Sequence, residues 1–101
     1  MAWSELKVRV RLFAQLRELA GTSVVEVEVE EGCSLKELLA RLLELMPDVF
    51  KMAVRPDGGL VEGYSVLVDA ERVGLDEVLS HGCEVAVLPP VGGGFEVVWV
   101  G

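Results

Sequence analysis

Only one stretch of the chain carries an apolar stripe long enough for a helix of about three turns, and it constrains everything else. Leu35, Leu38, Leu39, Leu42, Leu45 and Met46 recur at helical spacing against Lys36, Glu37, Arg41 and Glu44. Ser34 and Glu37 form a capping-box pair in which each side chain can satisfy the other's free backbone N–H. Pro47 stops the helix after about twelve residues, roughly 18 Å. A lone helix with one apolar stripe must bury that stripe against something other than a second long helix, and the flanking sequence supplies strands.

Leu6, Val8, Val10 and Leu12 alternate with Lys7, Arg9 and Arg11, the period of a strand with one buried face. Val25, Val27 and Val29 alternate with Glu26, Glu28 and Glu30 in the same way, and their β-branched side chains disfavour helix. Between these strands Phe13, Leu16 and Leu19 or Ala20 predict a short helical turn ended by Gly21. Asp48 to Gly63 shows no clear period, contains the turn-like Pro56-Asp57-Gly58-Gly59, and is read as irregular. Tyr64 to Val68 is strand-like and Asp69-Ala70-Glu71 a turn. Leu75 to Leu79 is expected to form a short helical turn, and Cys83 to Leu88 a closing strand that Pro89-Pro90 ends. The expected fold class is α+β, with a mixed sheet packed on one main helix.

A chain of 101 residues, 51% hydrophobic and 26% charged, suits one domain with one core. Seventeen acidic residues against nine Lys and Arg give a net charge of -8, and the scattered basic residues argue against nucleic acid as a partner. A basic protein surface fits better. No apolar run approaches the ~18 to 20 residues of a membrane span, and Met1 to Glu5 is not organised as a signal peptide. A soluble, cytoplasmic protein with no membrane partner is expected. The absence of Asn, the single Gln and the abundant Glu tilt toward a thermophilic source. Cys33 and Cys83 lack the spacing of a zinc or redox dithiol site, and both are expected to pack as small apolar residues rather than as a disulfide.

Little in the chain could catalyse a reaction unaided. There is one histidine, no Gly-x-Ser-x-Gly and no carboxylate pair away from solvated faces. His81 reads as an exposed turn residue, and Glu26 to Glu31 as a solvated strand face; no metal site is expected. Gly92-Gly93-Gly94 lacks the Lys-Ser/Thr ending of a phosphate loop. After a double proline, three glycines instead describe a sterically thin tail able to enter a channel where a Cβ would clash.

Phe13-Ala-Gln-Leu-Arg-Glu-Leu-Ala-Gly21, Gly82-Cys-Glu-Val-Ala-Val-Leu-Pro-Pro-Val91 and Gly93-Gly94 together resemble the MoaD-like small subunit of molybdopterin synthase, in the ThiS/MoaD sulfur-carrier family. The resemblance spans roughly Leu6 to Gly94. It implies a β-grasp, ubiquitin-like domain over residues 1–91 and a glycine-rich tail with a C-terminal extension over 92–101. It also implies a non-catalytic carrier that binds no cofactor. Gly94 matches the glycine whose carboxylate an ATP-dependent adenylating enzyme activates and converts to a thiocarboxylate, the reactive position of the chain. The molybdopterin synthase large subunit then accepts that sulfur for a pterin precursor. By the same resemblance Pro89, Pro90, Val91, Gly92 and Gly93 enter the partner, and Phe13 belongs to the N-terminal motif, although a core aromatic is an equal reading of Phe13.

The chain departs from the family pattern in continuing past Gly94 as Phe95-Glu-Val-Val-Trp-Val-Gly101. A glycine carbonyl inside a peptide bond cannot be adenylated. One expectation is therefore that a JAMM-type protease removes residues 95–101 and exposes the Gly94 carboxylate. A second is that Phe95, Val97 and Trp99 form a β-prone ribbon that adds a strand to a sheet edge, making the domain an interaction module. A third is conjugation of Gly94 to lysines of other proteins, as a ubiquitin-like modifier.

Overall fold

The computed structural model describes residues 5–90, and its element order is β1 (Glu5–Leu12), α1 (Ala14–Ala20), β2 (Val24–Glu30), α2 (Leu35–Leu45), α3 (Pro47–Phe50), β3 (Ser65–Val68), β4 (Glu71–Arg72) and β5 (Glu84–Leu88). The strands form one mixed sheet in the order β2-β1-β5-β3-β4. β1 and β5 run parallel at its centre, with Val10 level with Val85 and Leu12 level with Val87. The other pairings are antiparallel, Val8 facing Val27 on β2 and Val66 of β3 facing Val87 of β5. This is the β-grasp arrangement, a mixed sheet closed over one principal helix.

The alternation along β1 is realised residue by residue, with Leu6, Val8, Val10 and Leu12 buried and Glu5, Lys7, Arg9 and Arg11 exposed. Val8, Val10, Val85 and Val87 meet Leu35, Leu38, Leu39 and Leu42 of α2 in one core cluster. The capping box is present in full: Ser34 Oγ accepts the Glu37 N–H at 3.2 Å, and Glu37 Oε1 accepts the Ser34 N–H at 2.9 Å. α2 ends at Leu45, which is 51% exposed and so lies off the buried stripe. Leu19 at the end of α1 is likewise 53% exposed, leaving Leu16 as that helix's buried residue. No helix among the described residues is long and apolar enough to cross a membrane.

Three stretches differ from the sequence reading, the shortest being Glu71–Arg72, where the end of the expected turn becomes the two-residue strand β4. The segment expected to be irregular begins with the one-turn α3, whose Pro47 sits where a missing N–H costs nothing. It contributes Val49, Phe50, Ala53 and Val54 to the core, and Val54 bridges to Leu60 around the Arg55–Gly59 turn. Its buried residues are too few and too irregularly spaced to register as a period. The short helical turn expected over Leu75 to Leu79 is reduced to one hydrogen-bonded turn at its start, Glu77 N–H to the Gly74 carbonyl at 3.2 Å, and no helix follows. That stretch is extended enough for Val78 to bridge Ser34, and the Leu75 and Glu77 carbonyls accept the Lys36 and Leu35 N–H groups at the start of α2. Those donors have no partner within the helix, so the satisfaction they gain outweighs the weak helical pattern.

Asp69 and Ala70 close the β3–β4 hairpin with φ of 51° and 68°. Positive φ at both central residues of a two-residue loop is the geometry that glycine favours at the second place. Ala70→Gly should therefore raise stability by about 1 kcal/mol. Urea denaturation of the two proteins checks this; an unchanged or lower midpoint contradicts it.

Candidate tail exit and partner face

The parallel pairing of β1 and β5 sets the geometry of the site. Both strands run toward the same end of the sheet, so the residues following Leu12 and those following Leu88 emerge side by side. On one side Phe13 keeps extended backbone (φ -132°, ψ 155°) and Ala14 then turns sharply into α1 with φ 54°. A non-glycine residue in the left-handed region costs roughly 1–2 kcal/mol, and Ala is the smallest side chain that can occupy it. Phe13 is half-buried and lies outside the core cluster, at the surface beside the end of β5. On the other side β3 begins antiparallel to β5, Ser65 level with Leu88.

Pro89 and Pro90 are half-buried and continue directly from β5. With no N–H to donate and φ fixed, they end sheet pairing and hold the exit extended. Pro90 rests on Gly63, where a built Cβ would stand 3.0 Å from Pro90 Cβ and Cγ; Gly63 also has φ +95°. A side chain there meets both a steric and a conformational obstacle. Val91, Gly92, Gly93 and Gly94, the remaining residues expected at the site, lie outside the described residues. The structure therefore brings Phe13, Pro89 and Pro90 to one end of the sheet, with Gly63 as a buttress that the sequence did not single out. The only cue to Gly63 was its place just before a strand.

The open face of the sheet around this exit was also missed. Glu84, Ala86 and Leu88 share the side of β5 opposite the buried Val85 and Val87, and Leu67 lies level with Ala86. Leu67, Ala86 and Leu88 thus make a half-buried apolar strip in the middle of the open face. Exposed Lys7, Arg9 and Arg11 line it on the β1 side, with Arg11 Nη1 3.0 Å from Glu84 Oε2, and Arg72 on β4 lies level with Leu67. On β2 the register sets Glu26 beside Arg9 and Glu28 beside Lys7 on this same face, so the basic row of β1 lies between the apolar strip and a row of glutamates. Alternation signals a wet face, but only the strand order shows that basic and apolar residues share it.

The remaining candidates fall elsewhere. A larger groove of about 550 Å³ lies at the opposite end of the sheet, lined by Glu5, Glu28, Glu30, Glu31 and Glu37 with Cys33 and Arg41. Among the described residues no cluster of acidic, His or Cys side chains has a metal-binding arrangement. Both cysteines are free thiols. Burial, followed by the Glu37 and Glu30 charges, raises the Cys33 thiol above its ordinary range, and burial raises Cys83 as well. Neither is primed as a nucleophile. His81 is exposed but not idle, since its Nδ1 accepts the Lys7 backbone N–H at 3.1 Å.

Comparison with known proteins places this geometry. Residues 10–94 match the ThiS family. Small archaeal modifier protein 1 of Haloferax volcanii is 34% identical over 84 residues, covering 83% of this chain and 97% of that protein. Its crystal structure aligns with a TM-score of 0.77 over 85% of this chain and 99% of the other. The molybdopterin synthase sulfur carrier subunit of Escherichia coli is 36% identical over 87 residues, covering 86% of this chain and 99% of that protein. The Amycolatopsis orientalis BexX/CysO complex contains a chain that aligns with a TM-score of 0.68 at 25% identity, covering 86% of this chain and 99% of that one.

If Gly63 is the buttress of the exit, Gly63→Ala must displace Pro90 and strain the loop. A loss of about 1–3 kcal/mol of stability is expected. An unchanged denaturation midpoint, with unchanged amide shifts at Tyr64 and Leu88, would show that the contact is dispensable.

Proposed function

The chain belongs to the ThiS family, and we propose that it is the sulfur carrier of a molybdopterin synthase, armed at Gly94 once residues 95–101 have been removed. The observation that carries this reading is a coincidence of positions. The family match ends at residue 94, and that residue closes the Pro89-Pro90-Val91-Gly92-Gly93-Gly94 segment continuing from the central strand. Relatives named as molybdopterin synthase sulfur carrier subunits support the choice of pathway.

The proposed chemistry has three stages. A JAMM-type protease adds water across the Gly94–Phe95 peptide bond, freeing a carboxylate at Gly94 and an amine at Phe95. That carboxylate is a poor electrophile. In an adenylating enzyme it attacks the α-phosphate of ATP, releasing pyrophosphate and forming an acyl adenylate. A sulfur nucleophile then displaces AMP and leaves a thiocarboxylate. In the synthase large subunit the thiocarboxylate sulfur attacks a carbon of the pterin precursor and displaces an oxygen leaving group, and water then hydrolyses the resulting thioester, which returns the Gly94 carboxylate and leaves the sulfur on the pterin.

On this reading the chain's own contribution is presentation. Gly92, Gly93 and Gly94 pass a narrow channel without a Cβ, and Pro89 and Pro90 keep the tail pointed away from the sheet. Phe13 and the strip of Leu67, Ala86 and Leu88 dock against the partner, with Lys7, Arg9 and Arg11 setting orientation. The BexX/CysO complex of Amycolatopsis orientalis, which contains a similar chain, supports a second protein as the partner. Conjugation of Gly94 to protein lysines is the second reading, favoured by the similarity to a small archaeal modifier protein.

The test uses the chain ending at Gly94, a purified adenylating enzyme of this family, ATP and a sulfide donor. Carrier function predicts an intact mass in which sulfur has replaced one carboxylate oxygen, and no such product from the chain ending at Gly101. A product joined instead to lysines of added protein acceptors, with no thiocarboxylate, selects the modifier reading. Equal inertness of both chains overturns both.

A further inference from the structure

A smaller cleft lies beside the tail exit. β4 covers only Leu67 and Val68 of β3, so Ser65 and Val66 have no ladder partner on the side away from β5 among the described residues. The β4 pairing ends at Arg72, and the residues after it line the gap. The gap is a cleft of about 250 Å³, lined mainly by Leu60, Tyr64, Val66, Val73 and Leu75, with Arg72 beside them. An incomplete strand edge above an apolar floor is a place where an extended segment can add itself.

Three observations select the occupant. First, the tail starts next to the cleft: Pro90 touches Gly63, and the next residue, Tyr64, lines it. Phe95 is five residues beyond Pro90, a reach of about 17 Å when extended, and the three intervening glycines allow the chain to turn back. Second, Phe95, Val97 and Trp99 share one side of an extended segment and Glu96 the other. Third, charge favours this edge. Arg72 makes no ion pair among the described residues, whereas the β2 edge carries Glu26, Glu28 and Glu30, which would repel Glu96.

We propose that Phe95–Gly101 docks on its own domain along the free edge of β3, seating Phe95 in the cleft while Glu96 meets Arg72. The extension is then an intramolecular ligand that draws Gly93 and Gly94 against the body. The docking does not rest on the sulfur-carrier reading. The two ideas therefore fail by different measurements.

The experiment is NMR of the full chain, isotopically labelled at methyl and aromatic positions. Expected are nuclear Overhauser contacts from the Phe95 ring to the Val66, Val73 and Leu75 methyl groups, independent of protein concentration. Arg72→Glu, at an exposed position, should cause their loss, and Glu96→Arg in that background should restore them. Absence of these contacts overturns the proposal. So do contacts that vanish on dilution, which would put a second copy in the cleft, and contacts to β2 instead.

Discussion

The parallel pairing of β1 with β5 is the constraint from which the rest of the molecule follows. Parallel neighbours cannot be joined by a tight turn, so the chain between them must make a long crossover. Here the crossover carries α2, whose leucines close the core over Val8, Val10, Val85 and Val87. The same pairing places the exit of β5 in the middle of one sheet end rather than at an edge. Phe13 then stands on one side of the exit and Gly63 on the other. A tail leaving this point starts from a rigid base, which is what delivery of a chain end into another protein requires.

The parts of the fold written as local pattern were legible in the residues. The capping box at Ser34 and Glu37, the alternation of β1 and β2 and the stop at Pro47 each have a mechanism that acts within a few positions. The parts that failed depend on partners distant in sequence. Leu75 to Leu79 carries a faint helical spacing, but its carbonyls are claimed by the N–H groups that open α2. Phe50, Ala53 and Val54 are buried by tertiary packing that no period announces. Topology was the largest omission, for the strand-like spacing of four short segments does not say which strand lies beside which, nor that Glu71–Arg72 adds a fifth.

The site divides in the same way. Pro89 and Pro90 were recognisable because proline chemistry is local, and the motif around Phe13 because it resembles that of a known family. Gly63 could not be found, since its role is a contact with a residue 27 positions away. Nor could the strip of Leu67, Ala86 and Leu88 among basic neighbours, which exists only after β3, β5 and β1 are set side by side. There the basic row of β1 lies between the apolar strip and the glutamates of β2, a charge pattern that can orient two proteins before they touch.

The account turns on the bond after Gly94, and the intact mass of the untagged protein from its native cells addresses it directly. A chain ending at Gly94, with sulfur in place of one carboxylate oxygen in part of the population, is the predicted result. A population that retains Phe95–Gly101 throughout, under conditions where the cofactor is being made, would contradict it.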